Sequence, residues 1–64
     1  MSLLARDVVV GRVYTPTYRN GKEKRVLRLT ETDIGTLVHF EQISNGKRRY
    51  ENMEWFVLNH KRKW

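Results

Sequence analysis

The chain has 64 residues, no cysteine and a net charge of +6 at pH 7. This length allows one domain with a small core, and the lack of cysteine excludes disulfides and thiolate metal sites. No segment approaches the roughly 18 apolar residues of a membrane span, so we expect a soluble cytoplasmic protein without membrane contacts. The pI of about 10.2 is typical of proteins that bind polyanions, although basic residues also keep small β-proteins soluble.

The N-terminal part is predicted to hold a loose arm and a first strand. We expect residues 1–7 to form a flexible arm, of which residues 1–3 could be a cloning remnant. A β-branched run starts the strand at Val8, and Gly11 indicates a bend or bulge within it. Because Pro16 has no N–H to donate, the strand either ends near Thr15 or continues as a sheet edge.

Asn-Gly dipeptides occur at Asn20-Gly21 and Asn45-Gly46, each followed by lysine and flanked by β-type residues. Asn-Gly tolerates the positive φ angles of a type I′ turn and is the strongest short-range signal for a hairpin. Two such signals, without a convincing long helix, predict a small antiparallel β-protein.

The second strand is predicted over residues 25–30, with Leu27 and Leu29 on one face and Arg28 on the other. A strict two-residue hairpin before it would place Arg12 opposite Leu29 on the apolar face. We therefore expect a longer, irregular loop over residues 17–22.

The rest of the chain is predicted to form three more strands and one helical turn. In chain order we expect a turn over 31–35, a third strand over 36–43, a fourth strand over 47–51, a helical turn over 53–56, a closing strand over 57–60 and a basic tail over 61–64. Gly35 is expected at positive φ, and Asn52 is expected to cap the helical turn. A two-residue turn between strands three and four would set Glu41 against Tyr50.

The expected core draws on apolar residues of the strands and the helical turn. It consists of Val8, Val10, Val13, Leu27, Leu29, Leu37, Val38, Phe40, Trp55, Phe56, Val57 and Leu58, with Ile34 and Ile43 at the rim.

This order of elements resembles that of SH3-like barrels, in the wide sense that includes Tudor-like and chromatin-protein-like barrels. The features that carry the resemblance are Val10-Gly11-Arg12-Val13-Tyr14, Asn45-Gly46 and Met53-Glu54-Trp55-Phe56. The resemblance implies one all-β domain over residues 8–60, a five-stranded antiparallel barrel with a helical turn before the last strand. The chain is also similar to short uncharacterised phage and prophage proteins. An OB-like barrel or an open five-stranded sheet fits the same pattern.

Few residues could support catalysis. Ser2 and Ser44 lie in predicted flexible or turn segments, where no base is expected beside them. Two isolated histidines do not supply the ligands of a zinc site. We expect His39 to be a half-exposed strand residue and His60 to belong to the solvated tail. The sequence therefore predicts a non-enzymatic protein without metal or cofactor.

Eleven of the thirteen basic residues fall into three groups. The groups are Arg19, Lys22, Lys24, Arg25 and Arg28; Lys47, Arg48 and Arg49; and Lys61, Arg62 and Lys63. If folding joins two of these groups on one side, the result is a cationic surface that can follow a phosphate backbone.

Three aromatic residues lie next to these cations. They are Tyr18, Tyr50 and Trp64, and their rings could stack on bases or pack on the protein. The predicted nucleic-acid contacts are Lys22, Lys24, Arg25, Arg28, Lys47, Arg48 and Arg49, with Tyr18 and Tyr50 as stacking residues. About five phosphates neutralised on a duplex would give a log–log salt slope of about −4 to −5.

Two kinds of partner fit the sequence. The leading hypothesis is a module that binds nucleic acid through phosphates with low sequence specificity, because no recognition helix is predicted. The alternative is a protein-interaction or accessory domain of phage or mobile-element origin, with a possible homodimer. Exposed aromatic residues interleaved with arginine favour nucleic acid, whereas aromatics clustered apart from the cations favour a peptide groove.

Overall fold

The computed structural model describes residues 3–63, and its main feature is one antiparallel sheet of five strands. The predictions that concern Met1, Ser2 and Trp64 lie outside the described residues. The strands are β1 (Val13–Pro16), β2 (Lys24–Thr32), β3 (Gly35–Gln42), β4 (Arg48–Asn52) and β5 (His60–Arg62). A 3-10 turn (Ala5–Asp7) precedes β1, and a short helix α1 (Met53–Asn59) separates β4 from β5.

The strands lie in the order β4-β3-β2-β1-β5. An antiparallel sheet with one short helix is what the turn signals predict. The sheet is not closed into a barrel, because β4 and β5 are its two edges and are not paired with each other. The prediction is therefore confirmed for the antiparallel five-stranded sheet and not for the barrel closure.

The connection between β1 and β2 is a long loop, as predicted. Asn20 takes positive φ (63°), and Tyr14 pairs with Lys24, whereas the strict two-residue hairpin that sets Arg12 opposite Leu29 would pair it with Leu27. Gly21 is packed so closely that an added Cβ would lie 2.5 Å from Pro16 and from Tyr18. The loop is thus folded back against the end of β1.

The strand predicted from Val8 begins only at Val13. Gly11 has φ of 92°, and its N–H donates to the carbonyl of Val26 at 2.8 Å. This confirms the predicted bend, which separates the buried Val8 from β1. Val10, next to this bend, is exposed. The prediction that it belongs to the core is therefore wrong.

A β-bulge in β2 changes which side chains face the core. The register between β2 and β3 shifts between Val26 and Arg28, so that Val26 opposes Phe40 while Arg28 opposes His39. The extra residue, Leu27, breaks the alternation of the strand. The expectation that Leu27 and Leu29 share one face, opposite Val26, is therefore wrong: Leu29 lies opposite the buried Val38 and so shares the core-facing side with Val26, although it is 37% exposed.

The β3–β4 hairpin has a longer turn than predicted. Glu41 lies opposite Arg48 and His39 lies opposite Tyr50, so the predicted pairing of Glu41 with Tyr50 is wrong by two residues. Gly46 alone of the dipeptide has positive φ (71°), and the Asn45 side chain accepts a hydrogen bond from the Lys47 N–H at 2.9 Å. A type I′ turn needs positive φ at both central residues, which Asn45 does not adopt.

The helical turn after β4 continues for seven residues, Met53–Asn59. Asn52 caps it as predicted, with its side chain accepting from the Glu54 N–H at 2.8 Å. The closing strand predicted over 57–60 therefore lies over His60–Arg62 instead. Because α1 buries Met53 and Phe56 and turns Trp55 and Leu58 outward, the last two are not in the core.

The core lies between α1, the 3-10 turn and the inner face of the sheet. Its buried hydrophobic members are Leu3, Val8, Tyr14, Val26, Val38, Phe40, Met53 and Phe56, with Val57 packed against them. Tyr14 is fully buried, and its hydroxyl donates to the Asp7 carbonyl (2.6 Å) and accepts from the Val9 N–H (2.7 Å). Leu3 and Tyr14 thereby hold residues 3–7 against the core, whereas a loose arm was expected there. Ile34 is 86% exposed, at the tip of the β2–β3 turn where Gly35 has the predicted positive φ.

Candidate nucleic-acid interface

The outer face of β2, β3 and β4 is the side of the sheet that points away from the core. Val38 and Phe40 face inward, so strand alternation turns His39 and Glu41 outward. Cross-strand partners share a face. This places two rows of side chains across the three strands: Arg28–His39–Tyr50, and Arg25–Glu41–Arg48.

The first row combines a cation, an imidazole and an aromatic ring. The His39 and Tyr50 rings lie 5.7 Å apart at an interplanar angle of 40°. His39 Nε2 lies 3.1 Å from the Thr30 hydroxyl, which fixes the orientation of the imidazole. Tyr50 is 66% exposed, so its ring is available to a ligand.

The second row carries one carboxylate between two guanidinium groups. Glu41 forms an ion pair with Arg25 at 3.7 Å, and Arg48 lies on its other side, on β4. One carboxylate cannot neutralise both arginines. Arg28 in the neighbouring row adds a third, so this part of the face has a positive potential.

An open cleft of about 410 Å³ runs between these side chains. Its lining includes Arg28, Arg48, His39, Tyr50 and Leu27. The bulge in β2 is what brings Leu27 and Arg28 to this side. Exposed aromatic and cationic groups are therefore interleaved here, which is the arrangement expected for nucleic acid.

The structure does not bring all the predicted contacts to the outer face. Arg49 lies opposite Phe40, on the core-facing side of β4, although it also lines the cleft. Lys47 lies in the β3–β4 turn, while Lys22 and Tyr18 are exposed in the β1–β2 loop.

Lys24 is 4% exposed and takes no part in the surface. Its ammonium group donates to the Lys22 carbonyl (3.1 Å) and the Tyr18 hydroxyl (3.3 Å), and lies 3.0 Å from His60 Nε2. It also lies 5.5 Å from the centroid of the Phe40 ring. The prediction that Lys24 contacts phosphate does not agree with this burial.

His60 is 2% exposed and is not part of a solvated tail. Its Nδ1 lies 2.9 Å from the Phe56 carbonyl, and its ring stacks on the Phe56 ring at 4.2 Å. The Nδ1 proton is therefore donated to the carbonyl, and Nε2 accepts from Lys24. Burial, with a smaller effect from the Lys24 charge, lowers the pKa of His60 to about 4.

The third basic group lies at the opposite edge of the sheet and is partly neutralised. Arg62 pairs with Asp7 and Lys63 pairs with Glu23, both at 2.7 Å. The pKa of Asp7 is lowered first by the Leu4 N–H and then by Arg62, and that of Glu23 is lowered mainly by Lys63. These carboxylates stay charged, so this edge is less cationic than the outer face.

Sequence reasoning did not assign His39 and Leu27 to the site. Alternation along β3 could have placed His39 beside the arginines, because it has the same parity as Glu41. The position of Leu27 depends on the bulge, for which the sequence of β2 gives no glycine or other signal.

Comparison with protein-family models, curated proteins and solved structures found no match to this chain. Within residues 3–63, no helix is long and apolar enough to cross a membrane. In the same part of the chain, no three His, Asp or Glu side chains group as metal ligands would. The chemistry of the outer face is therefore the main guide to function.

Proposed function

We propose that this protein is a non-enzymatic module that binds nucleic acid through its phosphates, with the outer face of β2, β3 and β4 as the contact surface. The observation that carries the proposal is that Arg28, Arg48, His39 and the exposed Tyr50 share one face of the sheet and line one cleft. Guanidinium groups bind phosphate oxygens, and an exposed ring offers a platform for a base.

A single strand fits this surface better than a duplex. Two strand spacings of about 4.8 Å each separate Arg28 on β2 from Arg48 on β4, with His39 on the strand between them and Tyr50 beside Arg48 on β4. Unpaired bases can stack on Tyr50 while their phosphates reach the arginines. The only helix among residues 3–63, α1, carries no lysine or arginine and exposes Trp55 and Leu58, so it is unsuited to reading a major groove.

The test is a titration of labelled single-stranded DNA, single-stranded RNA and duplex DNA at several salt concentrations. Three phosphates neutralised by Arg25, Arg28 and Arg48 give an expected log–log slope of about −2 for single strands. Exposed Lys22, Lys47 and Arg49 would make it steeper. Absence of binding at low salt, or a slope near zero, contradicts the proposal.

A charge reversal with a matched control locates the contact surface. Arg48→Glu places a carboxylate beside Glu41 and should reduce affinity at least about tenfold. Lys61→Glu makes the same change of net charge on β5, where the residue is also exposed, and should have a much smaller effect. Equal losses in both variants would mean that only overall charge matters and that the outer face has no special role.

The second candidate is a protein-interaction or accessory domain. It is favoured by α1, which leaves Trp55 61% and Leu58 68% exposed beside a shallow groove that includes Leu3 and Val57. These apolar groups are separate from the outer face. Trp55→Ser with Leu58→Ser should abolish such an interaction and leave nucleic-acid binding unchanged, whereas Arg48→Glu should do the reverse.

We further propose that the fold is an open relative of the SH3-like barrels and that the chain is similar to short phage proteins. We also propose that the protein works in the cytoplasm. The long first connection, the β3–β4 hairpin and the helix before the last strand support the fold assignment. An experimental structure in which β4 does not pair with β3 would contradict the fold assignment.

A further inference from the structure

The free edge of the sheet at β4 has a charge pattern that is complementary to itself. Within residues 3–63, β4 pairs on one side only, with β3. The Gln42 N–H donates to the Lys47 carbonyl at 2.7 Å, so the backbone of Lys47 points toward β3. Because backbone direction alternates along an antiparallel strand, the N–H and C=O groups of Tyr50 point outward from the edge.

We propose that β4 is a dimer interface, and that it pairs antiparallel with β4 of a second copy about a two-fold axis at Tyr50. The N–H of each Tyr50 then donates to the carbonyl of the other. The two sheets join edge to edge, as exposed edges tend to do. This inference concerns assembly and does not depend on nucleic-acid binding.

Charge selects this register among those that the backbone permits. With Tyr50 opposite Tyr50, Arg49 of each copy lies opposite Glu51 of the other, and both side chains are on the core-facing side of β4. A shift toward the start of the strand sets Arg49 against Arg49, and a shift toward its end sets Glu51 against Glu51. Opposite charges directly across a ladder stabilise it, whereas like charges destabilise it.

Glu51 supplies a second, independent observation. Its Oε1 is buried and has no hydrogen-bond partner among the described residues. Burial raises the pKa of this carboxyl, against an opposing effect of Lys24. A buried acceptor without a donor is costly, which favours rotation of the Glu51 side chain toward the edge, where the guanidinium of the partner's Arg49 would supply the donor.

The other edge of the sheet lacks these features. β5 has three residues, and two of them, Lys61 and Arg62, are basic, so self-pairing would bring like charges together. A dimer through β4 would also place the two outer faces side by side, with both copies of Arg48 and Tyr50 near the axis. The result is one sheet with twice the cationic surface.

Sedimentation equilibrium of the full chain tests the interface at protein concentrations up to about 1 mM, the range in which weak complexes form. The wild-type chain should dimerise. Arg49→Glu sets carboxylates against each other in both halves of the interface and should weaken the dimer by at least about tenfold. The double variant Arg49→Glu with Glu51→Arg reverses the pair and should restore association to within about threefold of the wild type.

The control is Arg28→Glu, which makes the same charge change away from the edge and should leave the dimer affinity within about threefold of the wild type. Circular dichroism checks that each variant is folded. A wild-type chain that stays monomeric over the whole range overturns the proposal. So does a dimer whose affinity is equally reduced by Arg49→Glu and Arg28→Glu, or one that the double variant does not restore.

Discussion

Two clusters in this molecule contain the same kinds of side chain and differ in their access to water. The interior cluster consists of the buried Lys24, His60, Phe40 and Phe56, with the hydroxyl of Tyr18, a residue that is 51% exposed, bound at its margin. The outer cluster consists of Arg28, Arg48, His39 and Tyr50. Each sets a cation and an imidazole beside aromatic rings. In the first these groups contact one another, whereas in the second the arginines and Tyr50 are exposed to solvent.

In the interior cluster, the polar groups of Lys24 and His60 have their hydrogen bonds made within the protein. Lys24 has three partners, and the imidazole of His60 bonds at both nitrogens. Burying a cation without such partners would be strongly unfavourable. The interior cluster is therefore structural, since its polar groups already bind within the protein. The outer arginines retain capacity for a ligand, because Glu41 is the one carboxylate on their face among residues 3–63.

Substitution of Phe56 should give the largest loss of stability, because this side chain forms the base of the interior cluster. Its ring stacks on His60 and contacts the edge of Tyr14 at 5.5 Å. Phe56→Ala should lower the free energy of unfolding by about 3–5 kcal/mol, measured by urea denaturation. The neighbouring Trp55→Ala, at an exposed position, should change it by less than about 1 kcal/mol. Similar losses in both variants would contradict a structure in which Phe56 is buried and Trp55 is exposed.

The next largest effect is the dependence of stability on pH. His60 has its pKa lowered from 6.5 to about 4 in the folded protein, so the unfolded chain takes up a proton first as pH falls. The free energy of unfolding should therefore decrease between about pH 6.5 and pH 4, by roughly 2–3 kcal/mol at the end of that window. Glu51, whose pKa is raised, opposes this trend in part.

Thermal or urea unfolding at several pH values measures the slope of the free energy of unfolding against pH. His60→Gln should flatten it. The paired carboxylates Asp7 and Glu23 act at lower pH, because their pKa values are below the ordinary 3.8 and 4.5. A slope that persists without His60 would assign the effect to other groups.

Lys24 tests whether the interior cation stabilises the fold. Lys24→Met keeps the apolar stem but removes the donor to His60, Tyr18 and the Lys22 carbonyl, and should cost about 1–3 kcal/mol of unfolding free energy. Arg28→Met is the matched control and should change stability by less than about 0.5 kcal/mol. A Lys24→Met protein as stable as the wild type would indicate that the cluster contributes nothing net, as some buried ionic groups do.

The contrast between the two clusters also separates what the sequence predicts from what it does not. Turn residues and β-branched runs predict the succession of strands along the chain, the bend at Gly11 and the turn at Gly35. Lys24 lies between Glu23 and Arg25 in a charged segment, which favours an exposed position. Its burial depends on partners from the β1–β2 loop and from β5, which no local pattern reveals.

The outer face was only partly predictable for a similar reason. Arg28 and Arg48 were expected on the surface, yet their common face depends on a bulge of one residue in β2, and the cross-strand partners of β4 depend on a turn two residues longer than Asn-Gly predicts. A register error of one residue exchanges the two faces of a strand. The two-residue error at β4 preserved the faces but changed the partners, so that Tyr50 lies opposite His39.

Arg28 gives the smallest expected effect on stability and the most direct test of the outer cluster. Arg28→Met should reduce the steepness of the log–log salt dependence of single-stranded DNA binding by about 0.7, because one phosphate contact is lost. Arg28→Lys keeps the charge and should preserve the slope, although the bidentate geometry is lost and affinity falls. If Arg28→Met leaves the slope unchanged, Arg28 contacts no phosphate, and the exposed cations left as candidates are Arg25, Arg48, Arg49, Lys22 and Lys47.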